Sequence, residues 1–265
     1  LGHQRLGSPP ASRKLPEIIN LLVAGTASAT ELVEAITKAT EAALTRALKD
    51  QAFVEALWLL VKIPQAAKAE SFSEALRAVG VAAPDNPSAT DLVAGYDAAI
   101  EAVQRRSDGD VTDLGEMARQ AGISALYSLI EERLPSLWEP TREDVRTTLA
   151  TFVGPEKFGE LSQRFLTNFS ERTIQYYLDR EIPRHLGPGN VVQSVGDMAV
   201  FDDAVRRHCA ESTMIMRPFA KDWLGKSVYS EGKDISQKKL VGFTAVALKK
   251  VRKEFEIRSK AGENV

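Results

Sequence analysis

The sequence predicts an all-α fold, an irregular multi-helix bundle of about nine to eleven helices with no significant sheet. Three observations carry this expectation. Apolar residues recur at three- and four-residue spacing along the whole chain, the period of a helix with one buried face. Ser, Thr or Asp followed three residues later by an acidic residue stands repeatedly before such runs, as at a capped helix N-terminus. No alternating apolar run bounded by turn residues occurs, so no strand is expected.

The elements follow in order. Pro16 suits a first helical position, and Ile18, Ile19, Leu21 and Leu22 follow before Gly25. Ser28 to Glu31 reads as a capping box, with Leu32, Ile36, Ala39, Ala43, Leu44 and Leu48 forming the stripe behind it. Asp50 caps an apolar helix that includes Phe53 to Ile63 and that Pro64 is expected to stop. Ser71 to Glu74 opens a short helix closed by Gly80. Residues 82–88, rich in Pro, Asp and Asn, form a linker. Ser88 to Asp91 then starts a helix with Leu92, Tyr96, Ile100 and Val103 on one face, ended at 106–110.

A long helical segment covers 112–134, and Thr141 to Asp144 begins another that ends near Gly154-Pro155. From Glu156 to about Ile182, Phe158, Leu161, Phe165, Phe169 and Tyr176 line one face, with a gap at Thr173. Ile174, Leu178 and Ile182 make a second stripe, so this helix is expected to pack on two sides. Residues 186–196 read as loop. A helix starting at Asp197 or Met198 runs to Leu224, bent near Pro218. Residues 227–233 read as a further loop, and Asp234 to Gln237 caps a final helix to about Arg258.

Lys and Arg number 34 against 36 Asp and Glu, giving a net charge of −2. Hydrophobic residues make up 44% and charged residues 26%, which excludes wholesale disorder. One cysteine excludes a disulfide framework, and with three histidines it excludes a zinc-finger array. No apolar run reaches the ~18–20 residues of a membrane span. Glu17 and Asn20 interrupt the one stretch that resembles a secretory leader. These readings imply a soluble, cytoplasmic, bacterial-like protein with no membrane contact and no cofactor. Because residue 1 is Leu, the numbering is expected to start at a trimmed terminus or inside a longer chain. The part before Arg106 is rich in Ala, whereas the larger aromatics concentrate after Tyr127. That implies a tail (1–14), a smaller bundle (15–106) and a larger bundle (112–265), or else one continuous α domain.

The stretch Thr112 to Ser124 resembles the first helix and turn of bacterial helix-turn-helix repressors, with Ala118, Gly122 and Ile123 at the small, turn and buried positions. The resemblance spans about a dozen residues and would imply DNA reading. Ser128 and Glu131 stand where that family places apolar anchors, and Ala125 to Glu132 holds no Arg or Lys. A helical hairpin or one continuous helix is therefore expected here.

Three further clusters carry residue types capable of chemistry or binding. His208, Cys209 and Glu211, with His185, carry zinc-ligand and nucleophile–base residue types. However, adjacent helical residues point about 100° apart, and His208 lies seven residues from both Phe201 and Ile215 on an apolar stripe. The expectation is a core histidine and a buried thiol, with no metal site and no catalytic residues; an enzyme with a site near His185, His208 and Cys209 is the third-ranked reading. Asp179, Arg180, Glu181, Arg184 and His185, beside Gly187 to Gly189, form a candidate polar cleft. From Gln237 onward eight basic and three acidic residues give +5, leaving −7 for the rest of the chain. Leu240, Phe243, Ala247, Leu248, Val251 and Phe255 are expected to dock this helix on the core while Lys249, Lys250 and Lys253 point outward as a partner-binding face.

The first-ranked reading of function is therefore a non-enzymatic helical scaffold or interaction subunit of a multiprotein bacterial assembly, of the kind found in accessory systems such as phage defence. Its partners would be proteins. The second reading is a nucleic-acid-binding accessory protein that uses the basic C-terminal helix.

Overall fold

The computed structural model describes residues 46–106, 111–134, 140–181, 195–231 and 235–262. The expected tail (1–14), the helices expected upstream of Arg46 and the loop at 186–194 lie outside the described residues. Among the described residues every regular element is a helix: α1 (Gln51–Ala67), α2 (Phe72–Ala78), α3 (Ala89–Arg106), α4 (Asp113–Glu131), α5 (Arg142–Thr151), α6 (Pro155–Glu181), α7 (Val195–Ser212), α8 (Met216–Glu231) and α9 (Gln237–Gly262). No membrane-spanning length of apolar helix occurs among them.

The helix starts follow the cap signals. Asp50 Oδ1 accepts from the Phe53 amide at 2.9 Å, and Thr112 Oγ1 accepts from Gly115 at 2.9 Å. Two reciprocal capping boxes form, Ser88 with Asp91 and Thr141 with Asp144. In each, the carboxylate receives hydrogen bonds from the cap residue, which hold Asp91 and Asp144 below the usual carboxylate range. Helix α2 ends in a Schellman motif, with Val81 N–H donating to Leu76 O and Gly80 N–H to Arg77 O. Gly80 has φ +84°, a conformation that costs a residue with a Cβ about 1–2 kcal/mol.

Five boundaries differ from the sequence reading. Helix α7 starts at Val195, inside the loop expected to run to 196. Helix α1 continues past Pro64 to Ala67. Pro64 sits in the last turn, where the ring removes one hydrogen bond without breaking a long ladder. The carbonyls beyond it are satisfied from another helix: Arg146 of α5 donates to Ala67 O at 3.1 Å and to Ala69 O at 2.7 Å. Pro218 does not bend a continuous helix. The chain breaks at 213–215 and α8 begins at Met216. This puts Pro218 in a first turn, where its missing N–H has no partner to lose. Residues 227–231, expected as loop, are the last turn of α8. Finally, Ser236 rather than Asp234 precedes α9, which extends past Arg258 to Gly262.

Helix α6 is central. It packs most extensively on α8 and α4, and also meets α7, as its two apolar stripes require. Phe158, Leu161, Phe165 and Phe169 are buried. Thr173, the gap in the stripe, is buried too, its hydroxyl donating to Phe169 O at 2.7 Å. Phe53 of α1 lies 5.9 and 4.9 Å from Phe165 and Phe169, ring centre to ring centre. The buried residues before residue 107 and after residue 110 thus form one cluster. A second aromatic group joins α6, α8 and α9: Phe243 contacts Phe158, Phe219 and Trp223 at 5.7, 5.3 and 4.5 Å.

The helix-turn-helix resemblance resolves into one continuous helix. Gly122 is interior to α4, and its missing Cβ is where the buried Tyr96 ring of α3 crosses. A Cβ there would overlap the Tyr96 hydroxyl and lie 2.5 Å from its Cζ. That hydroxyl donates to Ala56 O of α1 at 3.1 Å, tying three helices together at one point.

Candidate docking surface

Helix α9 is amphipathic in the sense expected. Leu240, Phe243, Ala247, Leu248, Val251 and Phe255 are all no more than 4% exposed. They dock α9 against α7, α8 and α1, and Gln237 Nε2 reaches Glu55 of α1 at 3.4 Å. Burial moves the Glu55 carboxyl up from its ordinary value, with Arg106 and Gln237 opposing the shift.

On the opposite face Lys249 and Lys253 are exposed. They are four residues apart, so their Cβ atoms lie about 5–6 Å from one another. Lys250 departs from the outward orientation expected of it. It is half-buried, and its Nζ sits 5.1 Å from the centre of the Phe219 ring of α8. The aromatic face draws the ammonium inward by a cation–π attraction. Val246 and Ile257 are 46% and 49% exposed. Positions 246, 249, 253 and 257 follow a 3-4-4 spacing, so these two apolar residues bracket Lys249 and Lys253 in one row about 17 Å long. The sequence reading missed Val246 and Ile257, although their eleven-residue separation, three helical turns, marks them as sharing a face.

Several guanidinium and ammonium groups of the described residues meet carboxylates: Arg119 with Asp97 and Glu116, Arg133 with Glu160, Arg164 with Glu132, and Lys221 with Glu156. Lys249 and Lys253 have no ion pair among the described residues, although acidic residues outnumber basic ones in the chain.

The other candidate residues fall as follows. Asp179 is exposed near the end of α6 and accepts from Gln175 at 2.9 Å. The side chains of Arg180 and Glu181, and all of Arg184 and His185, lie outside the described residues. Cys209 is buried and free. Its thiol is pushed far above the ordinary range, by burial first and by the Glu171 charge second. A thiolate nucleophile is therefore not formed there at neutral pH. His208 is half-buried, its ring 5.1 Å from Phe255. Among the described residues no three His, Cys, Asp or Glu side chains are grouped to hold a metal ion.

Comparison of the chain with protein-family models, with curated proteins and with solved structures finds no match.

Proposed function

We propose that the chain is a non-enzymatic interaction subunit of a multiprotein assembly, and that it docks an acidic partner protein on the outer face of α9. The observation supporting this reading is the row of Val246, Lys249, Lys253 and Ile257. It combines unpaired positive charge with exposed apolar ends on a helix whose other face is locked into the core. Charges of this kind speed encounter with an anionic surface and lose influence as salt rises, while Val246 and Ile257 offer the apolar area that protein interfaces bury. Nucleic acid shares the attraction to lysine. It finds no aromatic side chain among these lysines on which to stack a base, and Lys250 is already occupied by Phe219.

The test compares the tagged full chain with a Lys249→Glu/Lys253→Glu variant in quantitative affinity purification, with and without nuclease. Exposed substitutions of this kind cost less than about 0.5 kcal/mol each, so the variant is expected to stay folded. The reading expects proteins retained by the parent, released by salt and lost from the variant, regardless of nuclease. Identical recovery by both chains would refute it, and loss of every partner on nuclease treatment would favour nucleic acid instead.

A further inference from the structure

A groove of about 430 Å3 opens where α1, the α5–α6 turn, the middle of α8 and the residue Ile235 before α9 meet. Its walls are apolar and belong to the core: Val61, Phe152, Phe158, Leu224 and Ile235 line it, each no more than 7% exposed. Its size falls in the ~300–1,000 Å3 range of small-molecule sites.

The polar features of the groove are few and of one sign. Among the described residues no carboxylate lines it, and Lys68 is the one cation. Lys68 is exposed and has no ion pair among the described residues. Its charge is not consumed by the end of α1, because Arg146 already donates to the carbonyls of Ala67 and Ala69. Gly154 and Pro155, the start of the 27-residue helix α6, lie on the same groove.

We propose that this groove binds a medium-chain aliphatic carboxylate, with its tail against Phe152, Phe158, Leu224 and Ile235 and its carboxylate paired with Lys68. The apolar walls select a hydrocarbon tail. One ammonium neutralises one carboxylate, whereas a dianionic phosphate would leave a second charge unpaired beside apolar walls. Each methylene buried adds roughly fourfold in affinity, so binding tightens with chain length until the groove is full.

The experiment titrates the full chain with hexanoate, decanoate and decanol below their micelle or solubility limits, by calorimetry and by tryptophan fluorescence, to which Trp223, 6.0 Å from Phe158, contributes. Saturable decanoate binding is expected, tighter than hexanoate and at least about fivefold tighter than decanol. Two variants assign it to the groove. A Cβ at Gly225 would meet nothing within 4 Å, so Gly225→Leu fills open space and is expected to weaken decanoate at least about tenfold with no drop in melting temperature. Lys68→Glu, at an exposed position, is expected to weaken decanoate but not decanol. Absence of saturable decanoate binding, equal affinity for decanol, or unchanged affinity in Lys68→Glu would overturn the proposal.

Discussion

Replacing Gly122 by alanine tests the crossing of α3 and α4 with a single methyl group. In an exposed helix interior the change would stabilise by about 1 kcal/mol, because alanine is the better helix former. Here the new Cβ overlaps the Tyr96 hydroxyl and lies 2.5 and 3.0 Å from two carbons of its ring. Tyr96 is fully buried and has no route to solvent. Overpacking of this kind costs about 1–3 kcal/mol. Moving the ring also breaks the 3.1 Å hydrogen bond to Ala56 O, and a buried polar group left without its partner costs about 1–3 kcal/mol. Set against the propensity gain, the net expected loss is about 1–5 kcal/mol. Urea denaturation followed by helical circular dichroism measures it. In a Tyr96→Phe background the hydroxyl overlap is gone, so the same Gly122→Ala change is expected to cost at least about 1 kcal/mol less. A Gly122→Ala protein as stable as its parent would refute the crossing, and with it the continuous helix through the helix-turn-helix-like segment.

Three other outcomes follow from the geometry. Asp91 and Asp144 have folded values below the unfolded value of 3.8, so their stabilising effect is complete above that pH and is lost as the pH falls below it. The stability difference between the parent and an Asp91→Asn/Asp144→Asn variant should therefore shrink on acidification, and a difference that stays constant down to about pH 2 would contradict the capping boxes. Arg146→Met removes two charge-assisted bonds to the end of α1 and should cost about 2–3 kcal/mol in the same denaturation assay; an unchanged midpoint would show that water caps that end equally well. Cys209, buried with its thiol held protonated, should react with a thiol reagent only as fast as the protein opens. Prompt reaction of the native chain would place it at the surface.

Much of the fold was legible because the signals were local. A cap side chain bonds an amide three residues on, so Asp50, Ser88 and Thr141 marked helix starts without reference to any neighbour. The stripes of α6 and α9 were legible for the same reason, since one helix's period decides which of its faces can be buried. The failures were tertiary. Pro64 reads as a stop in isolation, but Arg146, 82 residues later, satisfies the carbonyls that let α1 continue. Gly122 reads as a turn until Tyr96 is seen to occupy the space of its missing side chain. Lys250 reads as outward until Phe219 is placed beneath it. The groove was invisible in sequence, because its walls come from four separated stretches whose apolar residues look like ordinary core. Of the docking surface, Lys249 and Lys253 were legible from helical spacing. Their lack of ion pairs was not, since pairing depends on which acids the fold brings near.

Lysine footprinting tests the docking surface most directly. The purified chain and the chain within an extract of its own cells are exposed briefly to an acylating reagent, and modification at each lysine is read by mass spectrometry. Lys238, exposed near the start of α9, serves as the internal reference. The account predicts that Lys249 and Lys253 lose reactivity in the extract relative to Lys238, recover it at high salt, and remain protected after nuclease treatment. Equal reactivity of Lys249 and Lys253 in both settings would contradict it.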